Sequence, residues 1–138
     1  MPGYSNKPLY IKIGIANNSQ VVIKNTTQIQ RPNYESEIST IYPIKSEYHE
    51  NMDIVHVFVD NRKVMETELL KMLNILNNKN IAIWISWPKK ASKLLTDITE
   101  DVIRDVITPL GLVDVKVCSV SDDIWSGLKI VIRLENRI

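Results

Sequence analysis

Glycine is scarce: the chain has four in 138 residues, and none between Gly14 and Gly111. A loop that cradles a dinucleotide needs glycine so that backbone amides can approach the ligand closely. The gap therefore excludes a standard glycine-rich nucleotide loop from most of the chain. Cys118 is the single cysteine, which rules out an intramolecular disulfide and a cysteine-rich metal site and suits a reducing cytoplasm. No apolar run approaches the ~20 residues needed to cross a bilayer, and the opening MPGYSNKPLY has no signal-peptide core. Excess charge is missing too, since the formal net charge is +1. Neither nucleic acid nor a membrane is expected as a partner, and any basic site must be local.

What is present reads as one α/β domain over residues 1–138. Ile81 to Trp87, IAIWISW, is an uncharged run that fits a central strand covered on both faces, and Pro88 stops it by removing a backbone donor. Asp53 to Val59 is a second apolar strand. Between them Val64, Met65, Leu69, Met72, Leu73 and Leu76 recur at helical spacing, with Asp60 and Asn61 as candidate caps and Asn77-Asn78 as a left-handed stop. Strand, helix, strand in that space predicts a parallel βαβ unit.

Upstream, Pro8 opens a short helix that ends at Gly14, and Gln20 to Lys24 forms the first strand. Residues 26–37 are polar, either a helical turn or an irregular connection, and Ile38 to Ile44 is a second strand whose Pro43 implies an edge position or a strand end. Downstream, Asp97 or Thr99 caps a helix carrying Ile98, Val102, Ile103, Val106, Ile107 and Leu110, and Gly111 ends it. Val113 to Val120 is a strand, Ser121 to Gly127 a turn, and Leu128 to Leu134 a returning antiparallel strand.

The phrases WPKK (Trp87 to Lys90), TDITEDVIR (Thr96 to Arg104), PLGLVDVKVC (Pro109 to Cys118) and WSGLKIVIR (Trp125 to Arg133) resemble a bacterial family of small proteins of unknown function, numbered three-zero-five-two. The resemblance is strong over residues 81–137 and weaker, though collinear, from Gly3 through the first two strands. It implies a reduced Rossmann-like, methyltransferase-like sandwich, mostly parallel, closed by an antiparallel C-terminal strand. In methyltransferase labels the strand order would be 2-1-4-5-7-6.

Ligands in such sheets sit beyond the carboxyl ends of the strands. Those ends carry Asn25 and Thr26, then Lys45, then Asp60, Asn61 and Arg62, then Trp87, Pro88, Lys89 and Lys90. Lys45, Arg62, Lys89 and Lys90 would share one rim roughly 15 Å long, suited to an anion. Trp125 and Ser126 form a second candidate, the indole stacking on a ligand or covering the end of the core. Ser126 has no neighbouring base, so no catalytic residue is assigned. His49, Asp53 and His56 have metal-ligand chemistry, but His56 lies in an apolar strand and reads as a core histidine, and no metal is expected.

With Asn25-Thr26-Thr27 in place of a glycine loop, and Lys45 where an acid would meet ribose hydroxyls, S-adenosylmethionine is disfavoured and no cofactor is expected. The leading expectation is a non-catalytic module that binds an anionic small molecule or a protein partner. The alternatives are a methyltransferase, another enzyme acting on a phosphorylated substrate, and an assembly protein without a small ligand.

Overall fold

The computed structural model describes residues 7–16, 19–37 and 44–137. Two apolar strands hold its centre: β3 (Ile54–Phe58) and β4 (Ala82–Pro88) pair in parallel, from Ile54 beside Ala82 to Phe58 beside Ser86. Alternation along each strand serves both faces. Val55, Val57, Ile83 and Ile85 enter one apolar cluster, while Ile54, Phe58 and Trp84 enter the other. Six strands complete the sheet: β1 (Val21–Asn25), β2 (Ile44–Lys45), β3, β4, β5 (Leu112–Ser119) and β6 (Trp125–Ile132). Their order is β2-β1-β3-β4-β6-β5, the order expected from the resemblance. β1, β2, β3 and β4 pair in parallel, and the two pairings of β6 are antiparallel.

Helices α2 (Arg62–Ile75) and α3 (Glu100–Ile107) cover the first face with Met65, Leu69, Met72, Ile103 and Ile107. The second face is covered by α1 (Leu9–Ile13) and by the polar connection after β1, which brings in Ile29 and Tyr34. That connection ends in a short 3-10 turn, Tyr34–Glu37. Gly14 ends α1 at φ +92, a left-handed position where a side chain would be strained. Among the described residues no helix is long and apolar enough to cross a membrane.

Three local expectations need correction. Asn77 and Asn78 do not stop α2 by a left-handed turn, because Leu76 leaves the helix in extended geometry. Both asparagines instead tie down the loop before β3: the Asn77 amide donates to the Glu50 carbonyl at 2.8 Å, and the Asn78 side chain donates to Asp53 at 2.9 Å. Trp125, Ser126 and Gly127 belong to β6 and not to a turn. The Ser121 hydroxyl oxygen accepts the amides of Ile124 (3.1 Å) and Trp125 (2.8 Å), closing the turn early so that Trp125 already pairs with Pro88. Pro88 is the last residue of β4, not the residue beyond it. The second strand spans Ile44–Lys45 at the sheet edge, and its expected part over residues 38–43 lies outside the described residues.

Candidate functional site

The carboxyl ends of β1, β3 and β4 carry unlike chemistry. After β1 the backbone is closed on itself: the Thr26 amide donates to the Phe58 carbonyl (3.0 Å) and the Thr27 amide to the Asn25 side chain (2.9 Å). The Thr27 hydroxyl oxygen then accepts the Ile29 amide at 3.0 Å. These are the amides a glycine loop would offer to a ligand, and here they are spent. Nor does β2 end on an acid: its last residue is Lys45, exposed at the sheet edge, and the nearest acid is Glu47.

The end of β3 is different. Asn61 caps α2 by accepting the Val64 amide (2.9 Å), and Asp97, one of the two candidate caps for α3, instead helps to cap α2 by accepting the Arg62 amide (2.7 Å). Thr99 caps α3 through the Val102 amide (3.2 Å). Asp97 thereby pulls the segment before α3 across the end of β3. A cleft of about 430 Å³ opens there, lined by Asp60, Asn61, Leu95, Thr96 and Asp97. Asp60 Oδ1 accepts from the Asn61 amide group at 3.0 Å, while Oδ2 of Asp60 and of Asp97 accept no hydrogen bond from any described residue. On the other side of Leu95 and Thr96, a cleft of about 650 Å³ is lined by Trp87, Pro88, Lys90, Lys93 and Leu94 among others.

The expected row of four free cations is not what the fold builds. Lys89 Nζ donates to the Ser121 carbonyl (2.7 Å) and to Ser119 Oγ (3.2 Å), which fastens the β5–β6 turn to the end of β4. Replacing it tests that role: Lys89→Ala is expected to cost about 1.5–3 kcal/mol, the range for charge-assisted hydrogen bonds, seen as a lower midpoint in urea. Arg62 is paired with Glu66 at 2.8 Å, and its guanidinium pKa is raised chiefly by that hydrogen bond, with Asp105 and Asp97 adding to the negative surroundings. Of the rim cations only Lys45 and Lys90 stay exposed without an ion pair among the described residues.

Trp87 and Pro88 line the larger cleft with Lys90, although Trp87 itself is largely core. Trp125 is fully buried on the opposite face, edge-on to Phe58 at 4.9 Å, with its indole N–H donating to the Gln30 carbonyl (2.9 Å). It covers the core and has no face free for stacking. Ser126 sits half-buried in β6. His56 is a core residue: Nδ1 lies 2.8 Å from the Tyr34 hydroxyl and Nε2 2.6 Å from Ser86 Oγ, with the ring stacked on Phe58. Burial, with a smaller contribution from Arg31, lowers its pKa from 6.5 to about 3. His49 and Asp53 are engaged elsewhere, His49 Nδ1 with the Asn51 amide and Asp53 with the Gln20 amide.

No family model matches the chain, so the resemblance read from its phrases extends no further than the fold. No curated protein matches its sequence. Solved structures do match. A B. subtilis tRNA methyltransferase, TrmK, is similar over 95% of this chain and 68% of its own, with TM-score 0.55 and 8% identity. The Synechocystis magnesium protoporphyrin IX methyltransferase ChlM, solved with bound SAH, is similar over 85% of this chain and 75% of its own, with TM-score 0.58 and 8% identity. LepI in complex with SAM covers 92% of this chain and 47% of its own, with TM-score 0.54 and 10% identity. The fold is thus the Rossmann-like fold of methyltransferases.

This likeness overturns the expectation of no cofactor, because similar structures among these hold SAH or SAM. The loop after β1 does not suit that ligand, for the reasons given above. The donor set of the smaller cleft does: two carboxylate oxygens for hydroxyl or ammonium groups, an amide, a hydroxyl, and the apolar surface of Leu95. The sequence placed Asp60 and Asn61 at the end of a strand, but nothing in it joined them to Leu95, Thr96 and Asp97, which lie far along the chain.

Proposed function

We propose that this chain binds S-adenosylmethionine in the cleft between the end of β3 and the segment before α3, and that it is an enzyme of the methyltransferase class. The supporting observation is the likeness to methyltransferase structures over most of the chain. It favours this reading over a non-catalytic anion-binding module. When bound, the ligand supplies an electrophilic methyl group. The protein's own part is to hold it: Asp60 and Asp97 accept hydrogen bonds from its hydroxyl or ammonium groups, and their negative charge offsets its positive charge. Leu95 gives its purine an apolar face.

Calorimetric titration with S-adenosylmethionine tests this reading. Asp60→Asn and Asp97→Asn keep the oxygens that already accept hydrogen bonds but remove the charge. Each is expected to weaken binding about tenfold or more, as the loss of a charge-assisted hydrogen bond implies. Binding unaffected by both substitutions would refute the placement, and no heat from the parent protein would refute the function.

A further inference from the structure

The larger cleft carries a chemistry of its own. It has the opposite charge to its neighbour across Leu95 and Thr96, and its volume of about 650 Å³ lies in the range of small-molecule sites. Two ammonium groups, Lys90 and Lys93, stand on its wall, both exposed and neither in an ion pair or hydrogen bond among the described residues. The one acid there, Glu100, is already held by Arg104 at 3.1 Å.

Apart from Thr96 and Thr99, the rest of the lining is apolar. Trp87 and Pro88 form the floor at the end of β4, and Leu94 and Leu95 lie 41% and 95% exposed along the edge. Leaving two adjacent leucines in water forgoes stabilisation that a bound apolar body would recover.

Lys93 adds an independent sign. At φ +62 it is the sole non-glycine residue with positive φ among the described residues, in a region that costs a residue bearing a Cβ roughly 1–2 kcal/mol. Glycine would close the same turn without that cost, so the position keeps a lysine against its backbone preference.

We infer that this cleft is a binding site for a small molecule with an apolar, ring-containing body and an anionic group, a carboxylate, sulfonate or phosphate, held by Lys90 and Lys93. Its role as the substrate side of the site rests on the donor reading above, but the binding itself does not.

The test uses two fluorescent probes with the same aromatic body: anilinonaphthalene sulfonate, which is anionic, and N-phenylnaphthylamine, which is neutral. The parent protein is expected to bind the sulfonate at least tenfold more tightly than the neutral probe. Lys90→Ala combined with Lys93→Gly should remove that preference while leaving the weak binding of the neutral probe unchanged. Lys93→Gly alone should keep or raise the melting temperature, which separates loss of binding from loss of fold. Equal affinity of the parent for both probes, or a sulfonate affinity unchanged in the double variant, would overturn the inference. S-Adenosylhomocysteine is titrated separately, and a failure there bears on the donor cleft alone.

Discussion

Trp125→Ala is expected to remove about 3–5 kcal/mol of stability, a large share of the roughly 5–15 kcal/mol that holds a domain together. Trp125 is fully buried, packs edge-on against Phe58, and lies in the cluster that also contains Trp84, Val120 and Tyr34. Its N–H also fixes the Gln30 carbonyl, so the indole anchors the connection after β1 to β6. Two effects should therefore appear together in the variant: a lower denaturation midpoint, and faster amide exchange across residues 26–37. Trp125→Phe keeps an aromatic ring but leaves the Gln30 carbonyl without its donor, and should fall between parent and alanine variant. A Trp125→Ala protein within about 1 kcal/mol of the parent, on the same scale of core truncations, would contradict this packing. The neighbouring Gly127 shows how tight the region is, since a Cβ there would come 2.7 Å from Val120 Cγ2 and 3.4 Å from the Trp84 ring.

The second large effect is an acid limb set by His56. In the unfolded chain its imidazole takes up a proton near the ordinary pKa of 6.5, whereas in the fold, burial holds it neutral down to about 3. Between those values the unfolded state binds more protons, so stability is full above pH 6.5 and falls as pH drops toward 3. The slope approaches about 1.4 kcal/mol per pH unit once the unfolded histidine is fully protonated. Glu68 acts lower on the scale. Burial pushes its pKa up, but the Tyr48 hydroxyl and the Lys24 ammonium outweigh burial and hold it below its ordinary 4.5. The interval from pH 6.5 to 4.5 therefore reports on His56 with little contribution from that carboxylate. His56→Gln, which keeps a polar group between Tyr34 and Ser86, should flatten this limb in urea titrations at stepped pH. An unchanged slope in the variant would show that another group drives it.

The parts of the fold that follow from contiguous patterns were legible in the sequence. The uncharged run at Ile81 to Trp87 and the helical spacing from Val64 to Leu76 each depend on neighbours only a few residues away, whereas Gly111, expected to end α3, closes the 3-10 turn Thr108–Leu110 that follows it. The strand order came from the resemblance and not from any local pattern. What escaped was long-range. Lys89 looked like a free cation on a rim, but its partners, Ser119 and Ser121, lie thirty residues on and meet it only when the hairpin folds back. Asp97 looked like a cap for the helix beside it and instead caps the helix that begins 35 residues earlier. The acidic cleft exists because of that crossing, so the residues that define it had no spacing to betray them. The lack of a glycine loop after β1 was legible, but the hydrogen bonds that close the backbone there were not, and the proposed site at the end of β3 does not depend on that loop.

The central claim is that an adenosyl ligand sits at the end of β3 and not beside β1. A crystal structure of the complex with S-adenosylhomocysteine tests it most directly. Density inside the cleft, with ligand hydroxyl or ammonium groups within hydrogen-bond reach of Asp60 and Asp97, is the predicted result. Density seated against Thr26 and Thr27 at the end of β1 would contradict it.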